Sequence, residues 1–233
     1  MTSSLQYLTW SADGPVATIT FNRPAKRNGL TVDVLAELED LVHRARDDRS
    51  IRVAILAGTG PAFCAGADLR PLEAATTDEE RAVEQERLDR IPRVIGRIFD
   101  AMVHADLVSI AAVNGFAVGG GWSIALACDH QIAVEGAQFW LPEVEIGMAF
   151  KGLPNVALTR RLGPALAREA LILGRRFSAE ELLAHGVLNQ VCPLDELATE
   201  ARAAADRYLA LPWRSVLATR RDINTVTYGP QYY

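Results

Sequence analysis

Phe63-Cys64-Ala65-Gly66-Ala67-Asp68-Leu69 and Val113-Asn114-Gly115-Phe116-Ala117-Val118-Gly119-Gly120-Gly121 decide the reading of this chain. Each contains or follows a β-branched, strand-like run, Ile51 to Ala57 for the first and Val108 to Val113 for the second. Each then exposes main-chain N–H groups where a side chain would stand in the way. Two such turns side by side can hold an anionic oxygen between two amides. That arrangement implies chemistry on a carbonyl group.

Outward from these turns, strand and helix signals alternate. Val16 to Phe21 alternates as a strand with two dissimilar faces, and Asn22-Arg23-Pro24 ends it. Thr31 is placed as a helix N-cap, and Val34, Leu35, Leu38, Leu41, Val42 and Ala45 follow at helical spacing. Strand, helix, strand in that order predicts parallel pairing through a helical crossover. Arg70 to Ala105 reads as charge-rich and helical in its later part, its start a lid, with Pro71 and Pro92 breaking the pattern. A helix is expected from Trp122 to Cys128, starting at the glycine triplet, and short strands at Gln131 to Val134 and Phe139-Trp140. Beyond Gly152 the chain reads as mostly helical. Ser178 with Glu181 predicts a capping box, and further helices are expected over 198–209 and 213–221. The result is a β/α core over residues 1–150 and a helical C-terminal region over 151–233.

Composition narrows the function. The 233 residues suffice for a full core. A formal charge of −5 with interspersed signs carries no footprint of nucleic-acid binding. Cys64, Cys128 and Cys192 fit neither a metal spacing nor a disulfide framework, which points to a reducing cytoplasm. No signal peptide is expected from Met1 to Trp10. Leu107 to Cys128 lacks charge over roughly the length of a membrane span, but Ser109, Asn114, Ser123 and the glycine triplet interrupt it. A strand, a tight turn and a buried helix account for it, so no membrane contact is expected.

Asn22-Arg23-Pro24-Ala25-Lys26-Arg27-Asn28, Phe63 to Leu69, Asn114-Gly115 with Gly119-Gly120-Gly121, and Pro142-Glu143 together resemble the enoyl-CoA hydratase/isomerase (crotonase) superfamily over about Thr18 to Leu211. The resemblance implies an α/β, crotonase-like spiral of ββα units with a helical C-terminal region. It also implies a homotrimer or dimer of trimers and a coenzyme A thioester as substrate, with no permanently bound cofactor. By motif, the N–H groups of Ala67 and Gly120 would form an oxyanion hole for the thioester oxygen. Gly120 at a helix start is also favourable for negative charge on helix-terminus grounds alone. The alternative at both turns is close packing of strand on helix. Lys26 and Arg27 would meet the CoA phosphates or adenine, unless they form an ordinary solvated turn. Main-chain groups at Ala65, Asp68 and Leu69 would meet adenine and pantetheine.

The proton chemistry departs from the hydratase pattern. Hydratases of the family use two glutamates, and here the first position is Ser123 while the second is Glu143. One carboxylate can carry a proton between two carbons, whereas water addition ordinarily divides the work between two. Trp140, Leu141, Val144 and Ile146 around Glu143 predict an apolar pocket that raises its pKa. Double-bond isomerisation with Glu143 as shuttle is therefore favoured. Hydration using Glu143 with Ser123, and a non-catalytic acyl-CoA binder, remain as alternatives. Glu145 would share a face with Glu143 if the segment is extended. Asp68 reads as a turn residue, Asp129 as a cap for backbone donors, and Cys64 as an apolar filler. Met148 and Phe150 replace the family's glycine-rich turn and would shape the acyl pocket wall. The chain ends at Tyr233, soon after the helix begun at Trp213, and so would lack a further helix usual in the family.

Overall fold

The computed structural model describes residues 5–149 and 152–229. Phe150, expected above to shape the pocket wall, lies outside the described residues. Strands β1 (Leu8–Asp13), β2 (Val16–Phe21), β3 (Val53–Gly58), β5 (Val108–Val113), β7 (His130–Val134) and β10 (Gln190–Cys192) form one sheet in that order. Within it only β1 and β2 pair antiparallel. Strands β4 (Ala62–Cys64), β6 (Phe116–Val118), β8 (Gln138–Trp140) and β9 (Phe177–Ser178) form a second, smaller sheet. The chain visits the large sheet, then the small sheet, then a helix, three times over. The helices are α2 (Arg70–Ala74) with α3 (Asp78–His104), then α4 (Gly120–Leu126), then α5 (Leu153–Leu173). This is the expected ββα spiral.

The reasons are local. All six residues of β5 are buried, as a central parallel strand covered on both faces requires. Helix α1 (Val32–Asp47) starts where Thr31 accepts the Val34 N–H at 3.3 Å, and its six expected apolar residues are all buried. Between the sheets, Trp122 of α4 is fully buried against Phe139 and Phe177, with ring centroids 5.6 and 6.1 Å away.

Two expectations fail for identifiable reasons. Pro92 does not break α3, because the buried stripe Leu88, Ile91, Val94, Ile95, Ile98, Phe99 runs straight across it and holds the helix together. The full capping box belongs to Thr77 and Glu80 at the start of α3. Ser178 does accept the Glu181 N–H, at 3.2 Å, but the Glu181 carboxylate is bound to Arg175 instead of reaching back. The C-terminal region is mostly helical, as expected, with α6 (Ala179–Ala184), α7 (Leu197–Leu209) and α8 (Trp213–Tyr228), and it also contributes β9 and β10 to the two sheets.

Helix α8 is fastened by one buried ion pair. Arg220 donates to both Asp129 oxygens at 2.8 Å, to Met102 O at 2.8 Å, to Val103 O at 3.1 Å and to Ala105 O at 2.7 Å. It thereby supplies donors to the end of α3. Asp129 also accepts the Ser109 N–H and hydroxyl, so the backbone donor it satisfies lies on β5. Arg220→Ala leaves the Asp129 carboxylate unpaired, and the expected loss is about 3 to 5 kcal/mol in a denaturant titration.

Candidate active site

The two glycine turns lie against each other. A Cβ on Gly66 would stand 2.8 Å from the Val118 carbonyl oxygen, and one on Gly121 would stand 2.5 Å from the Cys64 carbonyl oxygen. Only residues without side chains permit this approach. Gly66 and Gly119 also adopt positive φ, 78° and 52°. Cys64 is fully buried here, and burial pushes its thiol up to about 12, which leaves it an inert filler.

Hydrogen bonding sets the direction of both candidate N–H groups. Ala67 forms an isolated parallel bridge with Leu30. Leu30 N donates to Gly66 O at 2.8 Å, and Asp68 N donates to Leu30 O at 2.9 Å. In a trans peptide the C=O and N–H point opposite ways, so the Ala67 N–H points away from Leu30. Across the gap, Gly119 O accepts from Ser123 N at 3.0 Å, which turns the Gly120 N–H outward from the start of α4. Neither N–H has an acceptor among the described residues.

Glu143 completes the group. Its Oε1 would lie 2.5 Å from a Cβ on Gly119, so the carboxylate rests on the glycine preceding the Gly120 amide. Glu143 is buried at 8 % exposure, and its Oε2 has no hydrogen-bond partner. Desolvation pushes its pKa up to about 7, against a smaller opposing effect of a backbone hydrogen bond. It also borders a cavity of about 390 Å³ with Leu141, Val144, Thr159, Leu171 and Ile172. Ser123 is buried too, and its hydroxyl has no partner. Glu145 does not join Glu143. Residues 143–147 form a turn, closed by Met148 N to Glu143 O at 2.7 Å, rather than an extended segment. The exposed Glu145 carboxylate packs on Gly174 instead.

The residues proposed for CoA are brought together. Ala65 N donates to Arg27 O at 3.0 Å, which sets the Lys26-Arg27 turn beside the Ala65 to Leu69 turn. Both cations are exposed, and neither forms an ion pair with another described residue. Asp68 is held by Arg70, at 2.7 and 2.5 Å, and that pairing draws its pKa below the usual carboxylate range. Next to Asp68 and Leu30 opens a second cavity, of about 270 Å³, with Leu72, Leu88 and Ile91 in its wall. The reading of the sequence missed this cavity and missed Leu30, because their contacts join segments far apart in the chain.

Two unpaired amides and a buried carboxylate, set where a ββα spiral brings two glycine turns together, describe an enzyme-like site of the crotonase type. Residues 11–227 match the family model described as enoyl-CoA hydratase/isomerase, and the chain belongs to that family. It is 37% identical over 213 residues to the probable enoyl-CoA hydratase EchA14 of Mycobacterium tuberculosis, covering 90% of this chain and 78% of that protein. It is 35% identical to an (E)-benzylidenesuccinyl-CoA hydratase of Thauera aromatica, covering 92% and 80%. Among solved structures, an enoyl-CoA hydratase subunit of Geobacillus kaustophilus superposes with a TM-score of 0.83 at 30% identity, covering 99% of this chain and 86% of that one.

The raised Glu143 pKa has a sign that can be checked. The folded state favours the protonated form, so stability falls as pH rises from the unfolded value of 4.5 toward about 7, and stays lowered above that. Glu143→Gln removes this loss. At pH 8 it is expected to stabilise the protein by up to ~3 kcal/mol, with little effect at pH 4, as read from denaturation curves at the two pH values.

Proposed function

We propose that the protein binds an acyl-CoA thioester and shifts its carbon–carbon double bond through an enolate, using Glu143 as the single proton shuttle. The observation that carries this reading is the pairing of Glu143, raised to near neutrality, with a serine at position 123. The thioester oxygen would accept from the Ala67 and Gly120 N–H groups. Glu143 would take a proton from the carbon on one side of the double-bond system and return it two bonds away. The proton is conserved and no water is consumed. A group with a pKa near 7 suits both halves of such a transfer. Lys26 and Arg27 would hold the CoA phosphates, and Ala65, Asp68 and Leu69 its adenine and pantetheine. The cavity beside Leu30 would take the acyl tail.

A second reading is water addition, favoured by the names of the relatives and by the buried, unpartnered Ser123 hydroxyl. In that case Ser123 would orient the water that Glu143 activates. A homotrimer or dimer of trimers is proposed for the assembly, in keeping with exposed Val144, Ile146, Ile172 and Leu173 near the Glu143 cavity. A cytoplasmic location is proposed with it, in keeping with three free, buried cysteines.

Incubation with 2-enoyl- and 3-enoyl-CoA, followed by mass and by double-bond position, tests the proposal. Isomers are expected to interconvert without gain of water. Glu143→Gln is expected to slow this about a hundred- to ten-thousandfold, while Ser123→Ala changes it by less than about threefold, since serine adds no base. Gain of water as the main product, abolished by Ser123→Ala, would establish the second reading instead. With Glu143 as the only base, kcat/KM is expected to rise through a pH of about 7 to a plateau.

A further inference from the structure

We infer that Asn28 is a positioning residue that aims the Ala67 N–H into the site. Asn28 is 1% exposed, and all three of its side-chain hydrogen bonds are long-range or loop-closing. Its Oδ1 accepts the Arg23 N–H at 2.8 Å, which closes the loop that carries it. Its Nδ2 donates to Thr59 O at 3.0 Å and to Ala62 O at 2.8 Å, at the turn that feeds β4. One amide group thus clamps the 23–30 loop to the strand leading directly into the Cys64 to Ala67 turn. Two residues further on, Leu30 makes the two backbone bonds that bracket Ala67 and orient its N–H. Three backbone bonds, Ala65 N to Arg27 O, Leu30 N to Gly66 O and Asp68 N to Leu30 O, tie these segments together, and Asn28 lies between their anchor points.

The choice of residue type follows from the geometry. Arg27 and Asn28 are consecutive non-glycine residues at positive φ, 48° and 56°. Asparagine tolerates that region better than almost any other side chain. It alone combines this tolerance with one acceptor for Arg23 and two donors for a pair of carbonyls. Aspartate would keep the acceptor but face two carbonyl oxygens with a carboxylate. Glycine would keep the backbone conformation and lose all three bonds.

The assignment rests on the reading of Ala67 as a donor to the thioester oxygen, and the test separates the two. Raman difference spectra of bound crotonyl-CoA report the polarisation of its carbonyl, alongside kcat and KM for double-bond migration. In the unaltered protein the carbonyl stretch is expected to fall on binding. In Asn28→Gly most of that fall is expected to disappear, with kcat lowered about tenfold to a hundredfold and KM within about threefold, as for a misplaced reacting group. Arg220→Ala, destabilised but remote from the turns, is expected to keep the full shift. No shift in the unaltered protein would sink the Ala67 reading and this inference with it. A normal shift and kcat in folded Asn28→Gly would overturn the inference alone. If the glycine variant does not fold, Asn28→Ser carries the same comparison, since it is small and neutral and can keep at most part of the clamp.

Discussion

Everything at the site depends on the approach of two main-chain turns to closer than a methyl group would allow. Gly121 meets the Cys64 carbonyl and Gly66 meets the Val118 carbonyl at distances that no Cβ could occupy. Because the contact is backbone on backbone, the positions of the amides at 67 and 120 are inherited from the sheets. β4 and β6 pair in parallel and place the turns side by side. β6 and β8 pair next and bring Trp140, and so Pro142 and Glu143, to the same edge. The proposed donors and the proposed base are thus fixed by one small sheet rather than by flexible side chains, the form of preorganisation that would stabilise a developing oxyanion.

Such a site carries a cost in stability. A carboxylate with an unpartnered oxygen, a buried serine hydroxyl without a partner, and two N–H groups without acceptors are each unfavourable in isolation. They are held in place by interactions elsewhere, among them the Trp122–Phe139–Phe177 cluster and the Arg220–Asp129 anchor. These groups lie on α4 and the turns beside it, while other buried polar atoms without partners lie on β7, at His130 and Gln131. A core selected for stability alone would pair or remove them.

Much of this was legible in the sequence. The β-branched runs, the Thr31 cap and the glycine triplet each act over a few residues, and each produced the element expected of it. Glu143 is buried as expected, but of the four apolar neighbours only Leu141 and Val144 line its cavity, and Val144 and Ile146 are exposed. What escaped the reading were relations between distant segments. Asn28 looks like any loop asparagine until Thr59 and Ala62 supply its acceptors. Glu181 looks like half of a capping box until Arg175 competes for its carboxylate. Pro92 looks like a helix breaker until the buried stripe of α3 proves long enough to outweigh one missing backbone bond. Glu145 shares no face with Glu143, because alternation of faces holds only for an extended chain and residues 143–147 form a turn.

The serine at position 123 bears most directly on the chemistry. Its hydroxyl sits on the first turns of α4, one helical turn beyond the Gly119 carbonyl to which its own amide is bonded. A hydroxyl there can orient a neighbour, but near neutral pH it cannot take a proton. Among residues 119–123 and 143, only Glu143 can both accept and return one. Its pKa near 7 makes the two directions comparably easy, whereas an ordinary carboxylate would hold the returned proton too weakly to stay protonated for long. A transfer that begins and ends on the same base needs that balance. Water addition, which divides the work between two groups, does not require one group to perform both halves. The burial of Glu143 and the serine at position 123 thus both favour the proposed double-bond shift over water addition.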